Sequence, residues 1–227
     1  MNTARTCQRC GECCRRGGPT LHRADEDLLQ RGVLALRNLL TLRRGELVWD
    51  QPAGRLLPLD EECIKCQPKA PGWTCCFYDQ ESGCGIYADR PLECRLLACW
   101  DTRALEAAYR EGRLTRGDVL PADSWLMELV GLHEAHCGHE RLAPLVAAWL
   151  AGAETATSGI LEALRYDRSL REALATRTAE QPDGPASMML FLFGRPLVST
   201  LASYGLGLRH SPDGAQLVRL EPQSAAD

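Results

Sequence analysis

Twelve cysteines in 227 residues constrain this chain more than any other feature of its sequence. Four of them stand together near its start, as Cys7-x2-Cys10-x2-Cys13-Cys14, in a segment with almost nothing apolar to bury. Such a segment can gain order from bonds between its sulfur atoms and a metal. Two residues between thiolates allow a tight turn to direct both sulfurs at one ion about 2.3 Å away. The spacing therefore predicts a metal centre.

The alternative use of clustered cysteines is a disulfide framework, and the context of this cluster favours metal. The chain starts MNTARTCQRC, with no apolar segment of a signal peptide before the first cysteine. We therefore expect a cytoplasmic protein. In the reducing cytosol, clustered cysteines are more often metal ligands than disulfides.

Charge and hydropathy argue against nucleic acid and membrane as partners. A net charge of −4 argues against nucleic acid as the main partner, because phosphate binding needs a concentrated basic face. The most apolar stretch, 188–208, is interrupted by Arg195, Pro196 and glycines, so we expect a buried core segment and no membrane span. The sequence contains no P-loop, dinucleotide fingerprint or nucleophile elbow, so nucleotide and hydrolase chemistry lack support.

A second set of cysteines lies more than sixty residues after the first. The predicted metal ligands are Cys7, Cys10, Cys13, Cys14, Cys76, Cys84 and Cys94, and further candidates are Cys63, Cys66, Cys75 and Cys99. Cys63-x2-Cys66 is either a second ligand pair or two spare thiols. Cys99 lies about 140° from Cys94 on an expected helix, which favours a buried apolar thiol. Adjacent cysteines cannot readily bind one ion, so Cys13-Cys14 indicates a spare thiol, two metals or a polynuclear cluster.

These motifs, in this order, resemble the CxxCxxCC, or YkgJ-like, family of zinc- or iron-chelating domains. The resemblance rests on the first cluster and on Cys76-Phe77-Tyr78-Asp79, Cys84-Gly85-Ile86-Tyr87 and Arg90-Pro91-Leu92-Glu93-Cys94-Arg95. It covers 5–100 and implies that these cysteines hold zinc or iron. A distant similarity to the flagellin lysine methylase, which carries an iron–sulfur cluster, favours iron. The four further candidate cysteines are additions to the short family pattern.

The predicted cofactor is an iron–sulfur cluster of the [4Fe–4S] type, with zinc as the alternative. The chain offers more thiolates than one tetrahedral zinc can use. Three cysteines spaced by two residues are also how cysteine-rich loops hold such clusters.

The fold expected from these patterns is mainly α with small β elements. A cysteine-rich half, 1–100, would be organised by metal and pack on a helical half, 101–227, that ends in a β-hairpin, the two forming one integrated domain. Three apolar stripes in 122–178 predict helices. Apolar spacing predicts another helix over 25–44, with a break near Gly32, and a further helix from Pro91 through Cys94 toward Tyr109. Arg43, Arg44 and Glu46 are interpreted as a solvated helix end.

Two other groups could contribute to a site. His133 and Cys137 are four residues apart on a predicted helix, as in zinc-binding helices, but the sequence lacks the HExxH pattern and we favour core or solvated histidines. Arg90 could donate to a cluster sulfur or form an ion pair with Asp89 or Glu93.

Three functions fit these observations. The first is a protein whose cluster or zinc serves electron transfer, metal handling or sensing, with the metal as its only predicted partner. The second is an enzyme whose metal keeps an open position for a peptide or small molecule. The third is an interaction protein stapled by zinc.

Overall fold

The computed structural model of the chain describes residues 7–178, 184–211 and 214–220. The helices are α1 (Glu12–Arg15), α2 (Glu26–Gln30), α3 (Leu92–Leu96), α4 (Arg103–Ala108), α5 (Arg116–Val119), α6 (Trp125–Cys137), α7 (His139–Leu150), α8 (Ala156–Thr178), α9 (Met189–Phe193) and α10 (Leu197–Thr200). The strands are β1 (Leu39–Leu42), β2 (Leu47–Asp50), β3 (Arg55–Pro58), β4 (Cys63–Cys66), β5 (Tyr78–Asp79), β6 (Gly83–Cys84), β7 (Leu206–Ser211) and β8 (Gly214–Arg219). Single 3-10 turns occur at Arg23–Asp25, Leu36–Asn38, Tyr87–Asp89 and Leu201–Tyr204.

The predicted fold class is confirmed, since helix accounts for 46% of the structure and strand for 18%. The strands form four antiparallel pairs, β1–β4, β2–β3, β5–β6 and β7–β8. Helices α6 to α8 fill the predicted helical region, and β7–β8 is the predicted hairpin, although Pro212 and Asp213 of its turn lie outside the described residues. Within the described ranges, no helix combines the length and apolar character needed to cross a membrane.

The helix predicted over 25–44 is wrong in its second half. Helix α2 ends at Gln30, Gly32 follows with a φ of 71°, and Leu39 begins strand β1. Leu39 and Leu40 are both buried, because β1 pairs with β4 and also packs beneath α9. A strand buried on both faces has a continuous apolar run that spacing alone cannot distinguish from a helix.

A shared hydrophobic core joins the two predicted halves of the chain. Leu39 and Ile64 of the β1–β4 sheet belong to the same buried cluster as Phe191 to Phe193 of α9, and Cys66 and Cys75 lie in that cluster too. A second cluster, which includes Leu142, Ile160 and Leu197, is confined to the helical half. The cysteine-bearing segments therefore pack on a core that helix α9 completes.

The β1–β2 turn corrects a second expectation, because Arg43 and Glu46 are not solvated. Both side chains have 0% exposure, whereas the neighbouring Arg44 is 66% exposed and pairs with Glu140. The Arg43 guanidinium donates to the carbonyl oxygen of Cys137 at 3.2 Å and to Nε2 of His139 at 2.9 Å. The sequence pattern missed this because a buried arginine depends on partners almost a hundred residues away.

The histidine in this network is held neutral. Burial, followed by the nearby charge of Arg43, lowers the pKa of His139 to about 3. Because Nε2 accepts from Arg43, Nδ1 carries the proton and donates to the Tyr204 hydroxyl at 2.9 Å. Tyr204 in turn donates to the carbonyl oxygen of Gly45 at 3.2 Å. One chain of hydrogen bonds thus fixes the β1–β2 turn to the helical half.

Candidate metal centre

Nine cysteines line one cavity of about 950 Å³. They are Cys7, Cys10, Cys13, Cys14, Cys66, Cys75, Cys84, Cys94 and Cys99. The cavity brings the two distant sets of predicted ligands together, with six of the seven predicted ligands on its wall. Within the described residues the remaining three cysteines, Cys63, Cys76 and Cys137, lie off this wall.

Gly11 shapes the first cysteine loop. Its φ is 78°, which turns the backbone between Cys10 and the one-turn helix α1 that carries Cys13 and Cys14. A Cβ at this position would lie 2.0 Å from the hydroxyl oxygen of Tyr78. That hydroxyl also accepts a hydrogen bond from Arg15 at 3.0 Å. The loop therefore closes onto the segment that bears the second cysteine set only because residue 11 lacks a side chain.

We expect Gly11→Ala to lower the free energy of unfolding by about 2–4 kcal/mol, from left-handed backbone strain together with overpacking against Tyr78. Gly205→Ala is the matched control, because Gly205 has a φ of 77° with no atom near its Cβ position. It should cost only the backbone term of about 1–2 kcal/mol. Urea unfolding of both variants measures the difference, and equal losses would contradict the role of the Tyr78 contact.

Strand β4 separates the two cysteines of the Cys63-x2-Cys66 pair. Residues three apart in a strand point to opposite faces. Cys66 lines the cavity, and the backbone of Gly18 passes so close that a Cβ there would lie 2.3 Å from the Cys66 carbonyl oxygen. Cys63 is 2% exposed and lies away from the cavity. Of this pair, only Cys66 is placed to reach a metal bound with the other cysteines.

Cys75 occupies the centre of the buried thiols. Hydrogen bonds from its neighbours Cys66 and Cys76 lower the pKa of Cys75 to about 3, and the same contacts raise the pKa of both neighbours. The Cys75 amide donates to the carbonyl oxygen of Cys14 at 2.8 Å, which joins this end of the cavity to α1. Cys76, the predicted ligand, instead has its sulfur 3.6 Å from the carbonyl oxygen of Asn38. A metal at Cys75 would replace protons that these sulfurs now share.

Helix α3 presents Cys94 to the cavity. At the first turn of α3, the Leu92 amide donates to Asp25 at 2.8 Å. Glu93 in the same turn accepts from the Thr20 amide at 2.7 Å. These contacts attach α3 to the segment that follows α1. Burial, then the nearby thiols of Cys75 and Cys14, raise the pKa of Cys94. The Cys94 thiol is therefore placed among other sulfurs by bonds that the two residues before it make.

The helix predicted from Pro91 toward Tyr109 is wrong beyond Leu96. Helix α3 stops there and α4 starts at Arg103, with an Ala98–Asp101 bridge between them. Cys99 falls in this turn and is exposed, so the expectation of a buried thiol at this position is also wrong. The turn brings Cys99 to the mouth of the cavity beside Trp100.

Two guanidinium groups flank Tyr87 on the cavity wall. Arg9 lies 3.9 Å and Arg90 3.8 Å from the centre of the Tyr87 ring, and two groups at these distances must occupy opposite faces. Arg9 stands between Cys7 and Cys10, with a φ of 56°, so the stack joins the first cysteine loop to the second cysteine set. Single-sequence reasoning gave no signal for it, because Arg9 and Tyr87 are 78 positions apart.

Arg90 forms neither of the predicted ion pairs. Asp89 pairs with Arg31 at 2.9 Å, and Glu93 bonds the Thr20 amide and lies 3.4 Å from His22. The Nε of Arg90 is buried and has no hydrogen-bond partner among the described residues. Arg90 also lines the cavity, on the same wall as the thiols.

The spacing of the sulfurs bears on which centre they suit. Four thiolates around one zinc, each about 2.3 Å from the ion, would lie about 3.8 Å from one another. Cys13 and Cys14 approach to 4.0 Å, but within the described part of the chain no three thiols lie within 4.8 Å of one another. A cluster holds its thiolates further apart, because each binds a different iron atom.

His133, Cys137 and Asp167 do form such a close group, with ligand atoms within 4.8 Å of one another. Most of its polar atoms are already bonded: Asp167 accepts from His133 at 2.8 Å and from Arg171 at 2.9 Å, and Cys137 donates to the carbonyl oxygen of Ala163. Among the described residues, Nδ1 of His133 is buried without a hydrogen-bond partner. The two neighbouring arginines, Arg43 and Arg171, oppose a cation here. The arrangement matches the core histidine that the sequence favoured.

Comparison with known families adds to this geometry. Residues 6–111 match the model of the CxxCxxCC family, which is described as a "Putative zinc- or iron-chelating domain". This match defines a CxxCxxCC domain over 6–111. All the residues that line the cysteine cavity lie within this CxxCxxCC domain, and helices α5 to α10 lie outside it. No curated protein and no solved structure matched the chain.

Proposed function

We propose that the cavity of the CxxCxxCC domain binds iron as an iron–sulfur cluster and that the protein transfers electrons through it. The observation that carries this proposal is the combination of nine thiols on one cavity with no zinc-like group of three among the described cysteines. A single zinc would need four sulfurs closer together and would leave five unused.

The chemistry of the wall suits such a cluster. The donors that dominate it are thiols, which are the ligands of iron–sulfur clusters. The buried Nε of Arg90 is a hydrogen-bond donor that lacks an acceptor within the described ranges, and donors to cluster sulfur tune the properties of the cluster. An iron–sulfur cluster supplies one-electron transfer when bound. The residues of this chain hold it, shield it and place cations beside it.

The excess of thiols over the coordination positions of one metal centre favours electron transfer over catalysis. A catalytic metal keeps one position free for substrate, whereas a centre surrounded by more thiolates than it can use has every position filled. Metal handling is the second candidate, and the exposure of Cys7, Cys10 and Cys99 at the mouth favours it, because an ion could be exchanged there.

The test is the visible spectrum and metal content of protein purified without oxygen. We expect iron and acid-labile sulfide, with broad visible absorption that bleaches with dithionite and returns on oxidation. Stoichiometric zinc without iron would overturn the proposal. Iron that binds but transfers rapidly to a chelator would favour metal handling over electron transfer.

A further inference from the structure

The thiols on the cavity wall are too many for one centre. A zinc ion or a single [4Fe–4S] cluster takes four, and nine are present. We infer that the cavity holds two iron–sulfur clusters, an inner one against the hydrophobic core and an outer one at the mouth. This inference rests on the proposed function and gives its site a second centre.

The exposure of the thiols changes from one end of the cavity to the other. Cys66 and Cys75 belong to the buried core, whereas Cys7 and Cys10 are exposed. The cavity measures about 950 Å³ and extends from these buried thiols to the exposed ones. A single cluster at either end would leave the thiols at the other end without metal.

Cys13 and Cys14 lie at the boundary between the two proposed clusters. Cys14 packs against the hydrophobic core and its carbonyl oxygen accepts from the Cys75 amide, whereas Cys13 has no place in that core. In ferredoxins with two clusters, one cysteine of the closely spaced run likewise binds the other cluster. The adjacent pair therefore supplies one sulfur to each centre.

The remaining ligands follow from their neighbours in the fold. Glu93, next to Cys94, accepts from the Thr20 amide, and Thr20 pairs with Lys65 beside Cys66, which places Cys94 at the inner end. Cys84 lies three residues before Tyr87, whose ring carries Arg9 and Arg90. The inner cluster thus takes Cys14, Cys66, Cys75 and Cys94. The outer cluster takes Cys7, Cys10, Cys13 and Cys84, and Cys99 is left over.

Each end of the cavity also has its own cation. Lys65 precedes Cys66 in strand β4, and its Nζ lies 3.9 Å from the Cβ position of Gly17, which lines the cavity. Arg9 and Arg90 stand at the outer end. Clusters with four thiolates are anionic, so cations at both ends suit two separate centres.

The experiment counts iron and sulfide in the full chain purified without oxygen. We expect about eight of each per chain. About four would overturn the second centre while leaving the proposed function intact, and none would overturn the proposed function itself. A potentiometric titration followed by electron paramagnetic resonance should show two reduction steps, and a single step would count against two clusters.

Serine variants test which cysteines bind each cluster. Cys10→Ser should lose about half of the iron and keep the other half, because it removes a ligand from the outer cluster only. Cys66→Ser should lose the other half, and if it fails to fold, Cys10→Ser and the wild-type count decide. Cys99→Ser is the matched control at the mouth and should keep all the iron. Loss of all iron in Cys10→Ser would show one centre.

Discussion

Cys84→Ser and Cys94→Ser should each remove at least half of the bound metal, whereas Cys63→Ser and Cys137→Ser should retain all of it. The first two cysteines line the cavity, and the loss of one ligand leaves a coordination position unfilled. The second two are buried at 2% and 1% exposure but lie off the cavity. The two control cysteines are therefore at least as buried as Cys84 and Cys94, and they differ from them in lying off the cavity.

The measurement is metal per chain together with the free energy of unfolding. Cys63→Ser and Cys137→Ser should cost only the packing of a small buried side chain, about 1–2 kcal/mol. Cys84→Ser and Cys94→Ser should also make the segments 7–20 and 75–99 sensitive to protease, while the second hydrophobic cluster of the helical half resists. Metal loss in Cys137→Ser with retention in Cys84→Ser would place the site at the histidine-bearing helix α6 instead.

Arg43→Ala should lower the free energy of unfolding by about 3–5 kcal/mol, because it empties a fully buried site and leaves its partners unsatisfied. His139 would lose the donor to its Nε2, and the Cys137 carbonyl oxygen would lose a donor as well. Arg44→Ala is the matched control on the adjacent residue. Its side chain is exposed and its pair with Glu140 is a surface ion pair, so we expect a change of about 1 kcal/mol or less.

Arg43→Met separates the two causes of that loss. Methionine restores most of the volume but none of the hydrogen bonds, so the stability that it recovers measures the packing contribution. Urea unfolding midpoints of the three variants give these values. Equal effects of Arg43→Ala and Arg44→Ala would show that the buried network does not support the fold.

The cysteine spacing identified residues that the fold brings to one cavity, but it could not show how they are arranged there. Cys7, Cys10, Cys84 and Cys94 were assigned from local motifs, and all four line the cavity. The choice between Cys75 and Cys76 could not be made locally, because it depends on which sulfur faces the cavity once Asn38 is in place.

The helical half was predictable where periodicity extends over many turns, as in α6 to α8. It was not predictable where long-range partners override local pattern. Leu39 is in a strand because β4 pairs with it. The deciding contacts come from elsewhere in the chain, beyond the reach of any sequence window.

The core shared by the cysteine segments and α9 has a consequence for biosynthesis. Cys94 leaves the ribosome 99 residues before Phe193, an interval of roughly 5–20 s at typical rates of synthesis. Throughout that time the thiols lack the aromatic residues that later cover Cys66 and Cys75 from behind. The nascent chain therefore carries reactive sulfur without its finished support, and the timing of metal delivery relative to translation decides whether those sulfurs meet iron or an oxidant first.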